Sequence, residues 1–350
     1  MSISTLPLRV CLLLTTLLTL LHTSTTTLAQ EITEQLCGQS SFWNSSTVPY
    51  AFNNNAWGND SSGYQCLDVL DGGSAFTVTY RWQGHGDLVK GYPYMKVHPS
   101  RLPVQLWNVS RLDFAADWSI EVTGNPQTEP AALAQAYDDI GLRCNVAVDM
   151  FLSDDAANST GLGSPIEIMI WPWYSPSVKP LGWAESRPDI DKVEIDGVAF
   201  SLYHGWNDRQ QHVFSWLAER NLTSTNADYG PLLKYIWQEG LLSGALYVGQ
   251  LEFGTEIMFA DEEVRFAASN YELQIIRQGD PDDNITTASS SAAASATATS
   301  SRLAPGVASV SASATAGATS TAGSVAVIRD APQSAIYGIC IGLLGLVFGI

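Results

Sequence analysis

Between residues 30 and 284 short apolar runs, many with polar residues at every second position, are separated by Gly, Pro, Asn or Asp. This pattern predicts strands. The clearest are Phe76-Thr77-Val78-Thr79-Tyr80, Ser119-Ile120-Glu121-Val122, Val146 to Phe151, Ile166 to Trp173, Val193 to Tyr203, Val213 to Leu217 and Leu246 to Glu252. One segment, Tyr229 to Gln238, has a helical period: Leu232, Leu233, Ile236 and Trp237 share a face, Pro231 suits a first turn, and Gly240 follows as a stop. Many strands with one main α-helix predict an all-β fold, an antiparallel β-sandwich or jelly roll.

The pattern changes at both ends. Arg9, the apolar run Val10 to Leu21 and Thr27-Leu28-Ala29 make residues 1–29 a secretory signal. Residues 285–324 are almost entirely Ser, Ala, Thr, Gly and Val, with Arg302 the single charge. Such a segment cannot bury enough apolar area to offset its backbone entropy, so a disordered stalk is expected, O-glycosylated or plain. Small residues Ala322, Gly323 and Ser324, a spacer Val325 to Ser334 and an apolar tail Ala335 to Ile350 close the chain. That order fits a glycosylphosphatidylinositol attachment signal, with residues 325–350 as the removed propeptide. A short membrane span and a chain cut short remain the alternatives, although a span needs roughly 20 apolar residues. All 11 Trp lie between Trp43 and Trp237, so residues 30–284 are the one folded unit.

Composition narrows the setting. Sequons begin at Asn44, Asn59, Asn108, Asn158, Asn221 and Asn284, which agrees with a secreted, glycosylated protein on the cell surface, held by a lipid anchor or passed to the wall. Setting aside Arg9, Arg302, Arg329 and Asp330 leaves 14 basic and 34 acidic residues, a net charge of −20. Nucleic acid and anionic lipid are poor partners for such a surface. It fits work on a neutral substrate in an acidic medium, and solubility alone explains it equally well. In the folded unit Cys37, Cys66 and Cys144 remain; an oxidising compartment suggests a Cys37–Cys66 bridge, with Cys144 a buried packing residue. The five His lack metal-ligand spacing and no Gly-rich phosphate loop occurs, so no metal or cofactor is implied.

Three strands carry acids inside apolar surroundings. In Ile166-Glu167-Ile168-Met169-Ile170-Trp171 the isoleucines share one face, and Glu167, Met169 and Trp171 share the other. A carboxylate there is costly unless solvated or paired, which points to an apolar-walled cleft or to an ordinary solvent-facing glutamate. From Leu246 to Glu256, Tyr247, Leu251 and Phe253 take the core parity; Gln250, Glu252, Gly254 and Glu256 take the other. Gly254 leaves room for a substrate or a neighbouring backbone. Asp149 adds a third acid, within Ala147 to Phe151. Carboxylates on one face of a concave sheet, with Trp and Tyr around them, suit glycoside hydrolysis, which needs an acid and a nucleophile or base.

Several motifs, in order, resemble glycoside hydrolase family 12: Asn54-Asn55-Ala56-Trp57-Gly58, Gln65-Cys66, Val89-Lys90-Gly91-Tyr92-Pro93, Leu102-Pro103-Val104-Gln105, Asn145 to Phe151, Glu167 to Trp171, Pro180-Leu181-Gly182 and Gly254-Thr255-Glu256. The resemblance implies a jelly roll with an open concave cleft and retaining hydrolysis of β-1,4-glucans: cellulose-type chains, mixed-linkage glucan or xyloglucan. It implies that Glu167 is the nucleophile, Glu256 the acid/base, and Asp149 the acid that hydrogen-bonds the nucleophile. Trp57 and Trp171 match cleft aromatics, Asn55 and Met169 cleft-lining positions, and Cys37 with Cys66 the family's N-terminal disulfide. There are departures: Glu252 stands where the family usually has Gln, Pro172 to Pro176 is unusually rich in aromatics and prolines, and Gln127 to Asp139 is an insertion.

The expectation is a monomeric, surface-anchored endo-acting β-1,4-glucanase. A wall-remodelling transglycosylase is the alternative within enzymology, and a glycan-binding protein without catalysis the alternative outside it.

Overall fold

The computed structural model describes residues 30–283. The signal segment, the stalk, the tail and Asn284 lie outside the described residues. With strands numbered along the chain, one sheet has the order β1 (Ile32–Leu36), β4 (Gly63–Leu70), β5 (Ala75–Trp82), β16 (Ile257–Arg277), β8 (Val109–Val122) and β14 (Ser224–Asp228). The other has the order β2 (Phe42–Asn44), β3 (Tyr50–Asn53), β6 (Tyr94–Val97), β15 (Tyr247–Gly254), β9 (Arg143–Ser153), β10 (Ile166–Tyr174), β13 (His212–Ala218), β12 (Val198–Trp206) and β11 (Lys192–Ile195). The short β7 (Val104–Gln105) pairs with the start of β15. Strand β16 joins the two sheets, since its first residues pair with β9 at Ile257 and Cys144. The all-β class expected from the alternation, and the jelly roll implied by the family resemblance, are the fold observed. Pairing is antiparallel throughout except between β10 and β13, which run parallel because the chain builds β11 and β12 before returning beside β10.

The core lies between the sheets. Phe76 is fully buried and meets Phe52, Phe253, Phe266 and Tyr271 at ring-centroid distances of 5.7–6.3 Å. Truncating a ring so placed costs about 3–5 kcal/mol, transfer and cavity terms together. On β10, Ile168 and Ile170 enter this core, while Met169 and Trp171 turn to a second apolar cluster on the opposite face. The two faces of this strand are thus divided as alternation predicts.

Three expectations need correction. Val193 to Tyr203 is not one strand but β11 and β12, divided by a turn at Asp196 and Gly197, both at positive φ. Val248, not Tyr247, packs in the core, because a bulge at Gly249 shifts the parity of β15. A Cβ on Gly249 would lie 2.0 Å from Ser159 Oγ, so the bulge lets two backbones close up. The Gln127 to Asp139 insertion carries a helix, α1 (Pro130–Asp139), in addition to the expected one, α2 (Gly230–Gln238). Only Ala136 and Tyr137 of α1 are buried, too few to give a helical apolar period, and Tyr137 anchors it by donating to the Ile120 carbonyl at 2.7 Å.

Cys37 and Cys66 are bonded, tying the segment after β1 to β4, and Cys144 is a free, buried thiol. Tyr80 Oη donates to Cys144 Sγ at 3.4 Å, and burial pushes that thiol up to about 12. The sequon residues Asn44, Asn59, Asn158 and Asn221 are exposed, and Asn108 is half-buried. Asn221 already uses its carboxamide, which donates to the Tyr174 carbonyl at 2.9 Å and accepts from Tyr174 N at 3.1 Å.

Candidate active site

The face of the second sheet turned away from the core floors a cleft of about 710 Å3. Asn55, Trp57, Asp149, Glu167, Met169, Trp171 and Glu256 all line it. Strand register explains the convergence. Met169 lies opposite Asp149, Asp149 opposite Glu252, and Glu252 opposite Lys96, so β10, β9, β15 and β6 present one row across the floor. One row along, Glu167 pairs with Phe151 and Val213, which places it diagonal to Asp149 on the same face.

Glu256 arrives by another route. It sits between β15 and β16, just past Gly254, where a Cβ would lie 2.1 Å from the Pro93 carbonyl oxygen. The room this glycine leaves is taken by a neighbouring backbone. Asn145 then holds Glu256 in place: its Nδ2 donates to Glu256 Oε2 at 2.6 Å, and Glu256 N donates to Asn145 Oδ1 at 3.0 Å. Asn145 is fully buried, so its carboxamide has few other places to point.

The walls are aromatic and apolar. Trp57 is 40% exposed, while Trp171 and Met169 are each 3% exposed and belong to the floor. Asn55, at a φ of 41°, donates through Nδ2 to the Tyr92 carbonyl at 3.1 Å and so ties the Trp57 segment to the strand side of the cleft. From the opposite wall, Arg209 lies over the Trp57 ring at 5.0 Å from its centroid. Its turn is built by Asn207, whose Oδ1 accepts from Arg209 N and from Gln211 N, both at 3.0 Å.

Burial dominates the electrostatics. Desolvation pushes Glu167 up to about 8, reinforced by the charges of Glu256 and then Glu252 and opposed by Arg209. It pushes Glu256 up to about 7, with the Asn145 hydrogen bond acting the other way. Asp149 is raised well above the usual carboxylate range, by burial first and then by Glu167, Glu252 and Glu256. Glu252 is pushed up to about 8 by burial, held back by Lys96, Tyr94 and Gln250. Four carboxyl groups this close cannot all ionise, so the site retains protons at pH values where free carboxylic acids have lost them. No group of three or more His, Cys, Asp or Glu among the described residues is arranged to hold a metal ion.

Sequence reasoning missed several cleft residues. Asn145 stood inside a motif, but its bond to Glu256 spans 111 positions. Lys96 and Tyr94 sit on a four-residue strand too short for a periodic signal, and Arg209 sits on a turn.

A jelly roll whose concave face carries paired carboxyl groups between aromatic walls is the architecture of a glycoside hydrolase. The family model for glycosyl hydrolase family 12 matches residues 48–275, and the chain belongs to that family. It is 28% identical over 245 residues to the xyloglucan-specific endo-β-1,4-glucanase A of Emericella nidulans, covering 68% of this chain and 90% of that protein. Endoglucanase A of Aspergillus kawachii is 23% identical over 250 residues, covering 69% and 93%. Among solved structures, the catalytic domain of Humicola grisea Cel12A superposes with a TM-score of 0.57 at 23% identity, over 69% of this chain and 99% of that one. The native family 12 xyloglucanase of Bacillus licheniformis does so with a TM-score of 0.55 at 21% identity, over 69% and 100%.

Proposed function

We propose that this glycoside hydrolase is a retaining, endo-acting β-1,4-glucanase, with xyloglucan its preferred substrate, Glu167 its nucleophile and Glu256 its acid/base. The observation that carries the reading is that these two glutamates meet in one cleft, with Glu256 the strongest charge acting on Glu167. In the first step Glu256 gives its proton to the leaving glycosidic oxygen as the carbon–oxygen bond breaks, and a Glu167 carboxylate oxygen bonds to the anomeric carbon. In the second, Glu256, now a carboxylate, takes a proton from water, whose oxygen displaces Glu167. Two inversions give net retention.

The first step requires Glu167 ionised and Glu256 protonated at the start. Burial opposes the first condition, raising Glu167 to about 8 against about 7 for Glu256; Arg209 favours it through its positive charge, and burial of Glu256 favours the second. Asp149, diagonal to Glu167, acts as the acid that hydrogen-bonds the nucleophile. Trp57 serves as a sugar platform, with Asn55, Met169 and Trp171 shaping the rest of the cleft. The xyloglucan preference rests on the Emericella relative named above.

The protein works outside the cell as a monomer. The signal segment 1–29, sequons at Asn44, Asn59, Asn108, Asn158, Asn221 and Asn284, the stalk 285–324 and the lipid-attachment signal 325–350 all support surface anchoring of the catalytic unit 30–284. Anchoring beside the wall also favours a second reading, transfer of the glycosyl group to a sugar hydroxyl in place of water. The test is reducing-end release from xyloglucan, mixed-linkage glucan and carboxymethyl-cellulose, with the first-formed anomer read by NMR and the products sized. Fragmentation of xyloglucan to the retained anomer is expected. The inverted anomer would refute the mechanism, equal rates on all three would refute the preference, and products longer than the substrate would favour transfer.

A further inference from the structure

Glu252 is the acid at the position where Gln is usual, and its surroundings give it a task. It is 2% exposed, and Asp149, its partner across the β15–β9 pair, is 4% exposed. Two buried carboxyl groups side by side cannot both be charged. The donors are not shared evenly between them. Lys96 lies opposite Glu252 on β6, Gln250 Nε2 donates to Glu252 Oε1, and the nearby Tyr94 hydroxyl also favours the charged form of Glu252. Asp149 Oδ1, by contrast, is buried without any hydrogen-bond partner. A buried oxygen in that state is costly as an anion and is relieved if the group carries its own proton.

We infer that Glu252 is a positioning residue: with Lys96 it takes the negative charge of the Glu252–Asp149 pair, so that the shared proton stays on Asp149 and is offered to Glu167. A protonated Asp149 donates to the nucleophile and favours its ionised form, whereas an ionised Asp149 would repel it. The groups facing this pair are Tyr92, Tyr94, Lys96, Glu167 and Glu256, with Arg209 beyond Glu167. Both tyrosines are raised by burial and by these carboxylates, so they remain neutral donors. The ordering of the acids agrees with the geometry: burial raises both, Asp149 well above its usual range, while Lys96, Tyr94 and Gln250 hold Glu252 back.

The inference rests on Glu167 as nucleophile, so its test has one arm that needs no substrate. In pH-difference infrared spectra of the full-length protein, the protonated-carboxyl band assigned to Asp149 by its loss in Asp149→Asn should persist to pH 8. In Glu252→Gln that band should titrate away between pH 5 and 8, because Asp149 no longer faces an anion. Lys96→Met should do the same, by letting the proton move to Glu252. In the kinetic arm, the loss of kcat/KM on an aryl β-cellobioside relative to wild type should be about tenfold greater at pH 8 than at pH 5 in Glu252→Gln and in Lys96→Met. The double variant should lose no more than either single one, and Asp149→Asn should cancel the pH 8 loss. A band unchanged in Glu252→Gln overturns the inference even where hydrolysis is normal. A band that titrates with no hydrolysis in any variant leaves the proton pair standing and instead removes the catalytic reading of Glu167.

Discussion

Asn145 and Glu256 are joined by three hydrogen bonds. Asn145 Nδ2 donates to Glu256 Oε2 at 2.6 Å, Glu256 N donates to Asn145 Oδ1 at 3.0 Å, and Asn145 N donates to the Glu256 carbonyl at 3.1 Å. Backbone and side chain of the acid are therefore set by one buried residue, and the side-chain bond lowers the pKa that burial raises. Asn145→Ala should raise the Glu256 pKa, moving the alkaline limb of kcat/KM to higher pH. It should also lower kcat roughly 10- to 100-fold, because the acid is no longer aimed. A purely structural effect would reduce the rate at every pH without moving the limb.

The two glutamates should separate by leaving group. Glu167→Ala should show no measurable turnover on any glucoside. Glu256→Ala should lose about 100- to 10,000-fold on a glucan yet far less on an aryl cellobioside with an acidic phenol, and azide should restore part of its rate as a β-glycosyl azide. If Glu252→Gln shows this dependence and Glu256→Ala does not, the acid/base role belongs to Glu252.

Arg209 covers the exposed ring of Trp57 and lies near enough to lower the Glu167 pKa. Removing it in Arg209→Ala should raise that pKa, so the acid limb of kcat/KM moves to higher pH. The loss below the optimum should be about two- to fivefold, the size of an exposed cation–π contact. Trp57→Ala should instead raise KM with little movement of either limb, as expected of a platform.

Stability should fall as pH rises. Glu167, ordinarily near 4.5, is raised to about 8, and Glu256 to about 7. An acid whose folded pKa is raised stabilises fully below its unfolded value and loses that contribution as pH climbs through the folded one. The window is therefore pH 4.5 to 8. Calorimetry should show Tm lower by roughly 5–10 °C at pH 9 than at pH 5, and Glu256→Gln should flatten the slope. A Tm that rises across this range would contradict the burial of these groups.

Alternation by itself determined the β class, the division of β10 into an isoleucine face and a face bearing Glu167, Met169 and Trp171, and the helix at Gly230–Gln238. These depend only on neighbours two or four positions apart along the chain. Composition set residues 30–284 apart as the folded unit, and motifs in order pointed to Glu167, Glu256 and Asp149 as candidate site residues. The bulge at Gly249, which exchanges Val248 for Tyr247 in the core, was not legible, because it depends on Ser159 closing against that glycine. Nor were the Asn145–Glu256 clasp or the row Lys96–Glu252–Asp149–Met169, which join residues from four strands through their register. A side chain's face is a local property of the strand, but the group that lies opposite it, and hence its charge, is decided only when the strands pair.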